Sequence, residues 1–169
     1  MITVVEVKTK RQKKKFVDFP TKLYKGNDYY VHPLRMDELA IFDPKKNVSF
    51  DECDMVFYLA YKDGHVAGRI CGIIQKVYNS KTSTKKVRFS RFDCIEDFEV
   101  AKALIEKIEE WAKMMGMEVV HGPLGYSDLD REGMIVEGFN ERCTFEEWYN
   151  FEYYKDLMVA DPTDIRTYT

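Results

Sequence analysis

The sequence predicts an α/β (α+β) fold: a mixed, mainly antiparallel sheet with helices on both faces and one parallel strand-helix-strand unit. Three stretches of the 169 residues carry that expectation. Residues 55–61 and 66–74 are nearly continuous apolar runs joined by Lys62-Asp63-Gly64-His65. Asp63-Gly64 is a strong hairpin signal because glycine accepts the positive φ that the turn requires. Apolar arms of this kind belong in the middle of a sheet covered on both faces. Farther on, Val100, Leu104, Ile108, Trp111 and Met115 recur at helical spacing, widened by Ala101, Ile105 and Ala112. A strand pattern precedes that helix directly. A short apolar strand at 117–121 follows it, which implies parallel pairing through a right-handed crossover.

The other elements follow in chain order. Ile2, Val4, Val5 and Val7 make a short β-rich opening. Residues 8–15 hold six basic side chains and lead into Phe16, Val17, Phe19 and Leu23, the pattern of a helix with a solvated start and packed later turns. Pro20 is expected to end or kink it. Leu34, Leu39, Ile41 and Phe42, set among Arg35, Asp37 and Glu38, suggest a second short helix before Asp43-Pro44. Polar residues 79–86 are expected to link the hairpin to a strand from Val87 to Cys94. Within that strand the apolar set moves from Val87 and Phe89 to Phe92 and Cys94. That one-residue slip is what a β-bulge near Ser90 and Arg91 produces. Asp97 suits the N-cap of the long helix and Gly116 its C-terminal end. Past Gly122-Pro123 the chain turns aromatic through Trp148, Tyr149, Phe151, Tyr153 and Tyr154.

Length and a 45% hydrophobic content fit one domain over residues 1–169, with a polar tail at 159–169. A formal charge of −3 argues against a generic nucleic-acid binder, and 14% aromatic residues argue against disorder. Cys53, Cys71, Cys94 and Cys143 are widely separated, with no C-x-x-C pair and no histidine at ligand spacing. No metal site is expected, and a reduced, cytoplasmic setting fits best. The start of the chain lacks a signal-peptide pattern, and no window approaches about 18 apolar residues, so no membrane partner is expected.

Together, the order of elements, residues 58–70 of the hairpin and the strand and helix over 87–116 resemble the GNAT superfamily of acyl-CoA N-acyltransferases. Residues 121–128 and 132–139 resemble an uncharacterised bacterial branch of it. The resemblance implies transfer of an acyl group, such as acetyl from acetyl-CoA, to a small-molecule or peptide amine. It places the cofactor at Cys94, Ile95, Glu99, Val100 and Ala101, where the superfamily's Gln/Arg-x-x-Gly-x-Gly/Ala loop holds a pyrophosphate on backbone amides. In this chain that window is Glu96-Asp97-Phe98-Glu99-Val100-Ala101, and only Ala101 matches.

The resemblance puts a general acid in the segment of Tyr153 and Tyr154, with Tyr154 the candidate. His121, ending a parallel strand with a pKa suited to base catalysis, is the second candidate. Asp128, Asp130, Glu132 and Glu137 are expected to be a solvated loop. Two closing strands that the superfamily carries are expected to be absent. Either the chain is a shortened version, or a second copy supplies the edge in a homodimer. An inactive interaction module therefore stands as the alternative to an enzyme.

Overall fold

The computed structural model describes residues 1–144, 147–159 and 167–168. Its elements are β1 (Ile2–Glu6), α1 (Lys10–Leu23), α2 (Arg35–Ala40), α3 (Ser49–Glu52), β2 (Cys53–Lys62), β3 (His65–Gln75), α4 (Lys76–Thr82), β4 (Lys86–Cys94), α5 (Phe98–Met114), β5 (Val119–Gly122), α6 (Tyr154–Val159) and β6 (Thr167–Tyr168). All strands lie in one sheet in chain order. The first four pair antiparallel, β5 runs parallel to β4, and β6 runs parallel to β5. Among the described residues, the two-residue β6 is all that stands where two closing strands were in question. The polar tail expected at 159–169 lies almost wholly outside the described residues.

The β2–β3 turn takes positive φ at Asp63 (51°) and Gly64 (82°), as its sequence requires. One face of the sheet is covered by α5, whose Val100, Leu104, Ile105 and Ile108 pack with Ile70, Phe89 and Phe92. Asp97 caps that helix by accepting the Glu99 and Val100 N–H groups, and Gly116 follows it with φ of 71°. Met115, past the last turn, leaves the apolar stripe and is exposed. On the opposite face, Phe16 of α1 joins Phe57, Leu59, Ile73 and Tyr126. A third cluster stacks Tyr24 on Tyr30 beside Tyr149.

Three expectations change. Helix α1 runs through Pro20 and on to Leu23. Residues 76–82 form α4, which takes in the first part of the polar connection expected at 79–86 and buries no residue. The single turn α3 was not anticipated either. The bulge is where the slip in β4 placed it: Arg69 pairs with Asp93 and Cys71 with Ser90, so Arg91 and Phe92 both oppose Ile70.

Candidate functional site

The bulge hands Arg91 and Asp93 to the face of the sheet that α1 and α2 cover. Proline has no N–H, so Pro20 leaves the Phe16 carbonyl without its helical donor. Arg69 of β3 supplies one, with Nη1 donating at 3.1 Å. Its Nε donates to Asp93 at 2.7 Å, and Asp93 accepts the Tyr24 hydroxyl at 2.9 Å and the Tyr154 hydroxyl at 3.3 Å. The Arg69 side chain is 1% exposed, so these partners are the condition on which its charge is tolerated. Burial raises the Asp93 carboxyl against the opposing pull of Arg69. Burial, then the charge of Asp93, pushes Tyr24 and Tyr154 well above the ordinary tyrosine range, so both hydroxyls stay protonated.

Arg91 holds the bulge at φ of 49°, a left-handed conformation that is costly for a long side chain. Its guanidinium forks onto Glu38 of α2 at 3.2 and 3.3 Å, between the rings of Tyr126 and Trp148. Burial alone would raise Glu38, but Arg91 and then Arg69 outweigh it and hold its carboxyl below the usual range. Alongside runs a cleft of about 600 Å³ lined by residues that include Glu38, Ser90, Arg91, Arg131 and Trp148.

At the far end of β4 the Cys94 N–H donates to the Tyr154 hydroxyl at 3.0 Å, and the Tyr153 hydroxyl donates to the Cys94 carbonyl at 2.7 Å. The space beside Tyr154 is about 20 Å³, room for about one water. The Ile95 N–H is bonded to the Ala67 carbonyl, and the Ala101 N–H to the Asp97 carbonyl. Those of Glu99 and Val100 go to the Asp97 carboxylate at 3.1 and 3.3 Å. All five residues expected to hold a cofactor thus spend their amides within the chain. Lys62 bonds the same carboxylate and keeps its pKa low. An anion can use the Glu99 and Val100 amides only by displacing the Asp97 carboxylate that now accepts from them.

The structure brings Tyr154 and Cys94 together and leaves His121 apart. His121 pairs with Arg88, six residues before Cys94, which is roughly 15–20 Å along the strand. Burial, with Lys86 and Arg88 nearby, lowers its pKa. The Cys94 thiol is buried, is raised by that burial and by Asp97 and Asp93, and donates to the Ile95 carbonyl, so it is no thiolate nucleophile. Glu38, Arg69, Ser90, Arg91, Asp93 and Tyr24 were not anticipated as site residues. Their signal was present in Arg69, a charged position inside an otherwise apolar strand that requires a buried partner.

No family model matches the chain. It is 27% identical over 140 residues to a bacterial ceramide synthase of Caulobacter vibrioides, aligning 82% of this chain with 36% of that one. It is 28% identical over 131 residues to protein YghO of Escherichia coli, aligning 78% of this chain with 33% of that one. The chain thus spans about a third of the length of these curated relatives. Among solved structures, a tandem GNAT protein from the clavulanic acid pathway superposes with a TM-score of 0.56 at 10% identity, over 71% of this chain and 35% of that one. A GNAT-family acetyltransferase of Staphylococcus aureus gives 0.50 at 15% identity, over 71% of each chain. An acetyltransferase of Clostridium acetobutylicum solved with acetyl-CoA gives 0.50 at 12%, over 71% and 79%. At such identities the likeness speaks for architecture, and on that ground this is a GNAT-fold protein.

Proposed function

We propose that the protein transfers an acyl group from an acyl thioester such as acetyl-CoA to an amine bound in the cleft beside Ser90 and Arg91. The observation that carries this is the Tyr154 hydroxyl, kept protonated by burial and seated on the Cys94 amide where the bulged β4 ends. A protonated hydroxyl and a backbone amide at one point are the kind of donors that an acyl transfer uses for its departing group and its carbonyl oxygen, and since the amide here donates to that hydroxyl, a thioester must part the two to use them. The Caulobacter relative adds support, since a ceramide is itself an amide. His121 has no part in this reading.

The occupied amides favour a second reading, an inactive GNAT-fold module that works through contacts. Titration of acetyl-CoA and free CoA, with Asp97→Gly beside the parent, separates the two. Under the first reading the parent binds, and a 100-fold excess over Kd adds about 2.7 kcal/mol of stability. A silent parent with a responsive Asp97→Gly means that Asp97 closes the donor site, which favours the module. Silence from both removes the acyl-transfer reading.

A further inference from the structure

We infer that the acyl donor is presented by an acidic carrier protein, which docks on the outer face of α1 and passes a phosphopantetheine arm into the cleft between that helix and the β2–β3 turn. The fate of the acyl group rests on the acyl-transfer reading; the docking does not. Three observations converge.

First, the outer face of α1 is a stripe of uncompensated positive charge. Residues 8–25 hold eight lysines and arginines against Asp18 alone, in a chain whose net charge is −3. Asp18 is taken by Arg35 at 2.6 Å. Arg11, Lys14 and Lys22 are exposed, fall on one face at helical spacing, and have no carboxylate partner among the described residues. Arg11 even stands in the first turn, which holds no acid, and a cation there opposes the helix dipole. Charge placed against the stability of its own helix complements an acidic surface.

Second, that stripe opens into a cleft of about 520 Å³. Lys15, Lys22 and His65 line it, and no carboxylate of the described residues does. Lys15 meets the Tyr61 hydroxyl at 3.3 Å and lies over the same ring. The remaining wall is apolar and includes Phe19, Val66 and Ile95. Two ammonium groups beside apolar walls suit a phosphate on an alkyl-amide arm. Ile95 directly follows Cys94, whose amide meets the Tyr154 hydroxyl, so the cleft borders the point where the thioester would react.

Third, the amides that open α5 are spent on Asp97, with Glu96 and Glu99 exposed beside them. A nucleotide-bearing donor brings a diphosphate toward those carboxylates. An arm with one phosphate, continued by a protein seated on α1, keeps its charge among the lysines. A nucleic acid would meet the same cations with no such arm to place between Phe19, Val66 and Ile95. Coenzyme A shares the arm and reaches the same cleft, without the protein contact.

Calorimetric titration of a bacterial acyl carrier protein in its holo form, against its apo form and free phosphopantetheine and with no amine present, tests the assignment. The holo carrier is expected to bind about tenfold more tightly than either. Arg11→Glu combined with Lys14→Glu should weaken the holo and apo carriers about tenfold and leave phosphopantetheine unchanged. Both side chains are exposed, and an acid in the first turn suits the dipole, so the pair should fold as well as the parent. Lys22→Gln should weaken phosphopantetheine and the holo carrier alike. The inference is overturned if the holo carrier binds no better than the apo form, or if the double reversal leaves it unaffected. Tighter binding of this face to phosphatidylglycerol vesicles or to an oligouridylate than to the holo carrier overturns it too. If acetyl-CoA binds while the carrier does not, this inference alone is lost. If the acetyl-CoA titration fails while the carrier results hold, only the acyl-transfer reading is lost.

Discussion

Arg69 shows how one residue ties the two faces of a site together. It stands in β3, inside an apolar run, and its guanidinium links a carbonyl that Pro20 orphaned in α1 to a carboxylate on β4. The pair is net useful only while both charges are present, because either one alone is an uncompensated buried ion. Asp93→Asn is therefore expected to destabilise the fold by about 3–5 kcal/mol in a urea titration. A loss under about 1 kcal/mol would mean that water reaches the pair. The same network explains Tyr154. Its hydroxyl meets Cys94, Tyr24 and Asp93, so the residue that the resemblance singled out is also a buried strut.

At the scale of elements, the bulge in β4 and the seating of α5 position the site. The bulge was legible as a shift of apolar residues from odd to even positions, since a slip of one residue moves side chains to the other face. The close seating of α5 depends on Gly68. A Cβ there would lie 2.8 Å from Leu104 and 3.0 Å from the Asp93 carbonyl. Gly68→Ala is expected to cost about 1–3 kcal/mol by overpacking, read as a lower thermal midpoint. A neutral result would show that α5 can ride outward. Helix α4 marks the opposite case: it buries no residue, its Val77 and Tyr78 are adjacent rather than at helical spacing, and Gln75 holds it locally by accepting the Tyr78 N–H, so periodicity gave no sign of it.

For the whole molecule, the buried and capping carboxylates set the response to acid. Lys62 depresses Asp97, and Arg91 with Arg69 depresses Glu38 despite its burial. Groups lowered in the folded state contribute stability above their unfolded values, near 3.8 and 4.5 here, and that contribution is lost as pH falls through the folded values. Asp93 is raised by burial and has the opposite sign, because acid first relieves its desolvation. The thermal midpoint is expected to be flat or slightly rising from about pH 7 to about pH 5, and to fall steeply below about pH 4. Asp97→Asn should shrink the acid-side fall. A curve that declines steadily from neutrality would contradict these assignments.

The sequence by itself determined the hairpin, the bulged strand, the long helix and the parallel unit, because each is written in spacing between near neighbours: a turn dipeptide, a period of 3.6, a change of face. Tyr154 was singled out by the resemblance alone, and the structure sets its hydroxyl against the end of β4. What only the tertiary structure decided was which polar groups meet. Pro20 was expected to end or kink α1, and only the approach of β3 to α1 showed that Arg69 answers the carbonyl the proline leaves without a donor. The acidic junction was visible, yet only the capped helix showed Asp97 occupying the amides itself. The Ser90 cleft joins residues from four separated regions of the chain, 32–38, 90–91, 125–131 and 148. Its hydrogen bonds and charges depend on distances of a few ångströms between positions that lie far apart in sequence, and local spacing carries no record of those distances.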